Sequence, residues 1–162
     1  MAVAKTLKEV GIGDRELYLF DTFEGMPPAT EKDKRPDGST LVGQHRAPGI
    51  ICLASEEEVR HNMGMVEYEG PVHYVRGKVE DTLPTHAPEQ IALLRLDTDW
   101  YESTKHELVC LFPRLSQGGI LIIDDYGEYL GCREAVDEYL RENNLCYFLN
   151  RIDYTGRLLI KS

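Results

Sequence analysis

The sequence predicts an α/β fold, a doubly wound and mostly parallel sheet with an antiparallel hairpin at its C-terminal end. Three observations predict it. Apolar strand-length runs alternate with amphipathic helix-length segments along the chain. Two of these runs, Ile91 to Leu96 and Ile120 to Ile123, end in carboxylates and are separated by one helix-length segment, which fits a right-handed parallel crossover. The last two strand-like runs are separated only by a turn, so they pair antiparallel.

The elements follow in order. Ala2 to Val10 reads as a helix with Leu7 and Val10 on one face, stopped by the Gly11-Ile-Gly13 breaker. Leu17 to Phe20 is a short apolar strand ending at Asp21. Gly25 to Ile50 reads as a long loop, because Pro27-Pro28, Pro36-Asp-Gly38 and Pro48-Gly49 are turn signals; loops of this length in compact domains are usually functional or mobile. Ser55-Glu-Glu-Glu58 is a capping box, so a helix begins at Glu56 and runs to about Met63. The three glutamates there are most simply a helix start favoured by the macrodipole.

Val72 to Val75 is the next strand, with Gly77 to Leu83 as a turn beyond it. Ile91 to Leu96 is apolar apart from Arg95, as expected of a strand covered on both faces. Glu102 to Leu115 is a helix that places Leu108, Leu111, Phe112 and Leu115 on one face. Ile120 to Ile123 is the second buried strand, and Arg133 to Asn143 another helix. Cys146 to Asn150 and Arg157 to Ile160, joined near Asp153-Tyr-Thr-Gly156, form the closing hairpin.

At 162 residues the chain suits a single domain with one core. Its net charge of -10, from 28 acidic and 18 basic residues without a basic block, argues against a nucleic-acid surface and favours small-molecule partners. Cys52, Cys110, Cys132 and Cys146 form no CxxC pair. No signal peptide and no apolar span of about 18 residues is visible. These features read as a cytoplasmic protein with reduced thiols and no membrane partner.

Chemistry concentrates where the two carboxylate-ended strands stop. As parallel neighbours roughly 4.8 Å apart they bring Asp97, Asp99, Asp124 and Asp125 to the carboxyl edge of the sheet, where open α/β sheets bind ligands. Such a set suits a hard metal or acid/base work. Asp124 and Asp125 are adjacent on an extended strand, so they face different ways and at least one can stand behind the other ligands. His61, His73, His86 and His106 are scattered singly and receive no ligand role. Trp100 and Tyr101 read as packing rather than as a substrate platform. Arg133 can pair with Asp125 or stand alone.

Five motifs in order carry a family resemblance. They are Asp21-Thr-Phe-Glu-Gly-Met-Pro-Pro28, Leu94-Arg-Leu-Asp-Thr-Asp-Trp-Tyr-Glu-Ser-Thr104, Pro113-Arg-Leu-Ser-Gln-Gly-Gly119, Ile122-Ile-Asp-Asp-Tyr126 and Cys132-Arg-Glu-Ala-Val136. Over about residues 15 to 162 the chain resembles the macrocin O-methyltransferase (TylF-like) family, class I S-adenosylmethionine-dependent enzymes that methylate sugar hydroxyls with a divalent metal, usually magnesium. The resemblance implies a Rossmann-like methyltransferase sheet. The family's first strand and its glycine-rich turn have no counterpart before the first helix, so the chain resembles the C-terminal two thirds or so of the family pattern, either as a truncated or divergent enzyme or with that strand supplied by a partner chain.

The resemblance also implies roles. Asp97, Asp124 and Asp125 would hold Mg2+ or another divalent cation, and Asp97 or Asp99 would take the acceptor's proton. Asp21, Thr22 and Phe23 would meet the ribose of S-adenosylmethionine, and Gly77, Val79 and Glu80 its adenine. The loop with His45 and Arg46 would border a sugar-containing acceptor, and a homo-oligomer is expected. Two other readings compete. One is a non-catalytic partner-binding remnant of the same fold. The other is a haloacid dehalogenase-type phosphatase, suggested by Asp97-Thr-Asp99 but opposed by Tyr101 where that pattern expects Thr or Val.

Overall fold

The computed structural model describes residues 1–43 and 53–162. His45, Arg46, Cys52 and the Pro48-Gly49 turn lie outside the described residues. The chain divides into two compact units, Met1–Met26 with Pro48–Thr82, and Pro27–Ala47 with Leu83–Ser162.

The first unit runs α1 (Ala2–Glu9), β1 (Leu17–Asp21), α2 (Glu56–Gly64), β2 (Val72–Arg76) and α3 (Val79–Thr82). The expected capping box forms: the Ser55 hydroxyl accepts from Glu58 N at 3.2 Å, and the Glu58 carboxylate accepts from Ser55 N at 2.8 Å. Strands β1 and β2 are parallel, with Leu17 opposite Val72 and Asp21 opposite Arg76. The stretch expected as a plain turn after β2 contains a single helical turn, α3. Acidic Glu80 and Asp81 favour its start, and the Thr82 hydroxyl donates back to Lys78 O at 3.0 Å. Ala4, Phe23, Met63 and Val79 are buried apolar side chains of this unit.

The second unit runs β3 (Ile91–Leu96), α4 (Tyr101–Leu111), a 3₁₀ turn (Phe112–Arg114), β4 (Leu115–Ile123), α5 (Leu130–Glu142), β5 (Asn150–Arg151) and β6 (Arg157–Ile160). Its sheet has the order β3-β4-β6-β5, parallel between β3 and β4 and antiparallel thereafter. Leu94 lies opposite Leu121, Leu96 opposite Ile123, and Leu159 opposite Leu121, so these side chains share one face. That face is buried with Leu108 and Leu111 of α4 and Ala135, Val136 and Tyr139 of α5.

Several expected boundaries move, each for a local reason. The α-helix after β3 ends at Leu111 rather than Leu115, because Pro113 cannot donate to the helix and tightens the chain into a 3₁₀ turn. The carbonyls left over at Phe112, Pro113 and Leu115 accept from the Lys161 ammonium at 2.9, 3.2 and 2.6 Å. β4 begins earlier than expected because Leu115 already pairs with Ile91. The register then slips before Leu93 meets Ile120, and the surplus residues bulge at Gly118, whose φ is +75°. β3 is not covered on both faces, since Leu93 and Arg95 are exposed on the face opposite Leu94 and Leu96. In the closing hairpin only Asn150–Arg151 is strand before the turn; Cys146 to Leu149 do not join the ladder, and Phe148 points out of the core. The turn itself is held by Asp153 Oδ1, which accepts from Thr155 N and Gly156 N.

The loop after Pro27 is more ordered than its composition suggested. Pro36-Asp-Gly38 makes a tight turn, with Arg35 N donating to Ser39 O and a bridge between Lys34 and Thr40. Asp33 is fully buried. Its Oδ2 accepts from the Thr30 amide and hydroxyl at 2.7 and 2.8 Å, while Oδ1 accepts from Tyr101 N at 2.8 Å. Helix α4 begins after Trp100, which cannot cap it, so Asp33 supplies the cap from a distant segment. Lys34 O does the same for α5 by accepting from Leu130 N at 2.8 Å. One loop therefore ties down the N-termini of both helices.

Asp33→Ala should lower the unfolding free energy by about 2 kcal/mol, the combined cost of a lost cap and an unpaired buried amide, in urea titration. Gly131→Ala should cost about 1–3 kcal/mol by overpacking, because a Cβ there would lie 2.4 Å from Asp33 Oδ1.

Candidate active site

The four carboxylates are placed by the parallel ladder and the turn that leaves it. Asp124 N donates to Leu96 O at 3.0 Å, which carries the β3–β4 pairing one residue past the strands and sets Asp97 beside Asp124. The chain then turns sharply through Thr98 and Asp99. Asp99 has φ +64°, a left-handed conformation that aspartate adopts more readily than most residues, and Trp100 N donates to Thr98 O at 2.7 Å.

Neighbouring side chains hold this turn from several sides. The Thr98 hydroxyl donates to the buried Glu107 at 2.8 Å. Trp100 Nε1 donates to Pro27 O at 2.8 Å, and its ring meets Tyr129 edge-on with centroids 5.3 Å apart. Tyr101 is buried, its amide bound to Asp33 and its hydroxyl donating to Glu138. Tyr101 is thus packed away from solvent, and the half-buried Trp100 ring packs on Tyr129.

Carboxylate oxygens of Asp97, Asp99 and Asp125 lie within 4.8 Å of one another. Asp124 turns instead toward Asp97 and Arg95: Arg95 Nη1 donates to Asp97 Oδ2 at 2.6 Å, and Nη2 lies 3.1 Å from Asp124 Oδ1. The alternation of adjacent strand residues thus sends Asp124 and Asp125 to different neighbours. Arg133, for which two roles were open, donates its Nε to Tyr126 O at 3.1 Å and stacks over the Tyr126 ring.

Electrostatically the set carries more negative charge than its surroundings hydrate. Loss of hydration and the adjacent Asp124 push the Asp97 carboxyl up to about 6 against the opposing pull of Arg95. Loss of hydration and the neighbouring Asp99 push Asp125 up to about 8. The same acidic surroundings, after burial itself, raise the Cys132 thiol to about 12, so it is no nucleophile. Asp125 Oδ2 is shielded from solvent with no hydrogen-bond partner. A buried acceptor of this kind calls for a proton or a cation, and an all-oxygen donor set fits a hard divalent ion.

The residues expected to contact a methyl donor all belong to the first unit. Asp21 Oδ1 accepts from Phe23 N at 2.7 Å, and the Thr22 hydroxyl donates to Gly25 O at 2.6 Å, so this turn after β1 closes on itself. Phe23, at φ +54°, and Val79 are buried, which leaves their backbones rather than their side chains for a ligand. Gly77 has φ +135° and lies against the Thr82 methyl, while Glu80 lies in the first turn of α3. Of the histidines, His73 stacks on Tyr18 and bonds Glu16, and His106 contacts Leu83 O and Cys110. Sequence pattern alone does not mark Arg95 as a site residue, although it stands as a lone charge in an apolar strand two residues before Asp97.

A family profile described as macrocin-O-methyltransferase (TylF) matches residues 1–161. The chain belongs to the macrocin O-methyltransferase family. Demethyldecarbamoylnovobiocin O-methyltransferase of Streptomyces niveus is 36% identical over 151 residues, which are 93% of this chain and 56% of that protein. An 8-demethyl-8-(2,3-dimethoxy-alpha-L-rhamnosyl)-tetracenomycin-C 4'-O-methyltransferase of Streptomyces olivaceus is 35% identical over 153 residues, again 93% and 56%. The solved structure of the O-methyltransferase NovP superposes with a TM-score of 0.82 at 30% identity, over 99% of this chain and 65% of that one. This family member thus spans a little over half the length of the curated relatives it matches, and its fold is that of a methyltransferase. No helix among the described residues is long and apolar enough to cross a membrane.

The raised carboxyls fix a pH dependence for this family member. Asp97 and Asp125 keep protons in the folded chain at pH values where the unfolded chain, with carboxyls near 3.8, has released them. The folded state therefore binds more protons between about pH 4 and 8, and stability falls as pH rises through that window. Thermal unfolding in chelator-containing buffer should show Tm dropping from pH 5 to pH 8.5. Asp125→Asn, which carries no charge to repel, should flatten the upper half of that fall.

Proposed function

We propose that this chain acts as a metal-dependent O-methyltransferase that moves a methyl group from S-adenosylmethionine to a sugar hydroxyl of a glycosylated natural product or polysaccharide. The observation that carries the reading is the convergence of Asp97, Asp99 and Asp125 at the carboxyl ends of β3 and β4, with Asp124 beside them, in a family of O-methyltransferases. The sugar acceptor is supported by the relative whose name includes a rhamnosyl group. The phosphatase reading loses its basis once the family is known, and Tyr101, the residue that broke its pattern, is a buried helix start.

The chemistry needs few groups. Methyl transfer from a sulfonium is an in-line displacement, and a neutral sugar hydroxyl attacks only as its proton leaves. Asp97 and Asp125, whose oxygens converge, would hold a divalent cation together with Asp124 once its carboxylate turns from Arg95, and that cation, when bound, would acidify and orient the acceptor hydroxyl. Asp99 is the better base. Asp97 is engaged by the Arg95 guanidinium, whereas Asp99 stands on a turn locked by Thr98, Trp100 and the capped start of α4, so its carboxylate is held in place. Asp21, Thr22 and Phe23, with the Gly77 to Glu80 turn, are the proposed donor contacts, and the free thiols of Cys110, Cys132 and Cys146 suit a reducing compartment.

Calorimetric titration with S-adenosylhomocysteine, with and without magnesium, tests donor binding. Methyl transfer from labelled S-adenosylmethionine to rhamnosylated acceptors tests the reaction. Asp99→Asn should lower kcat by about 100-fold or more while magnesium binding persists. Asp125→Asn should weaken magnesium binding itself. Loss of magnesium binding in Asp99→Asn, with activity kept by Asp125→Asn, would reverse these two assignments.

A further inference from the structure

We propose that Arg95, bridging Asp97 and Asp124 beside the converging carboxylates of Asp97, Asp99 and Asp125, is a built-in counter-cation that competes with a divalent ion for Asp97 and Asp124, so that loading the site displaces the guanidinium. The inference rests on the metal-holding role proposed above and adds a regulator of that site.

Register makes the arrangement. Arg95 lies opposite Ile122 on the parallel pair β3–β4, and Asp97 and Asp124 each lie two residues further along their own strands. Residues two apart on a strand share a face, so all three side chains emerge on the same side of the sheet edge. One fork spans both strands, with Nη1 on Asp97 Oδ2 at 2.6 Å and Nη2 on Asp124 Oδ1 at 3.1 Å. The planar guanidinium suits this bridging geometry.

A divalent ion held by Asp97 and Asp124 would draw on the same two carboxylates. The guanidinium and the ion are both positive, and neither can remain in place beside the other without repulsion at short range. Arg95 is free to leave, because its side chain is half-exposed to water. Water can take over its donors, so displacement is reversible. Arg95 also holds the two carboxylates together before an ion arrives, which opposes their mutual repulsion. That ordering effect concerns two short, half-exposed side chains. Competition is the larger effect, since it removes two charge-assisted contacts and adds a like-charge neighbour.

The test is magnesium affinity of the full chain measured by calorimetry, beside thermal unfolding in chelator. Arg95→Met keeps the length and apolar stem without the charge, and should bind magnesium about tenfold more tightly, the scale of a half-exposed two-contact ion pair. Arg95→Lys, a point charge without the fork, should fall between it and the wild type. Arg141→Met removes one exposed positive charge far along α5 and should leave affinity unchanged. Equal or weaker binding by Arg95→Met would overturn the proposal, as would equal tightening by Arg141→Met. If neither wild type nor Arg95→Met binds magnesium, or if Asp97→Asn leaves binding intact, the metal-holding role of these carboxylates fails instead.

Discussion

Crowded negative charge at the ends of two parallel strands is the constraint that organises the second unit. Asp97, Asp99, Asp124 and Asp125 are forced together because the β3–β4 ladder is in register to its last residue, through the bond from Asp124 N to Leu96 O. Carboxylates that close cannot all stay ionised and hydrated without help. A guanidinium, that of Arg95, answers at one end, while at the other Asp125 Oδ2 has no hydrogen-bond partner and calls for a proton or a cation. A site destabilised in this way is suited to chemistry rather than to stability.

What surrounds the carboxylates keeps them from relaxing apart. The turn carrying Asp99 is left-handed, and it is fixed by Thr98 on Glu107, Trp100 on Pro27 and Tyr101 on Asp33. Asp33 is the more telling of these, since it is buried and comes from a segment remote in sequence. Its position requires Gly131 on α5, because any side chain there would meet its carboxylate. A loop that reads as surface is thereby built into the N-termini of both helices that cover the sheet.

Much of this was legible beforehand because it depends on local signals. The capping box at Ser55, the turn signal at Pro36-Asp-Gly38 and the carboxylate-ended apolar runs each reflect short-range hydrogen bonding or periodicity. Five ordered motifs identified the family, which the profile over residues 1–161 shows directly. The misplacements have physical causes of the opposite kind. Pro113 ended α4 early, the Gly118 bulge lengthened β4, and Leu93 proved exposed because the apolar run could not reveal which face a helix would cover.

The sequence by itself determined the alternation of the main strands and helices, the family and the four aspartates at the ends of two strands, since residue type, spacing and period suffice for these. Tertiary structure alone decided how the aspartates are partnered: Asp124 with Asp97 and Arg95, Asp125 with Asp99. It also decided that Asp33 caps a helix 68 positions away. Both outcomes depend on strand register and on contacts between segments remote in sequence, and neither register nor remote contact is written in the local pattern that a sequence displays.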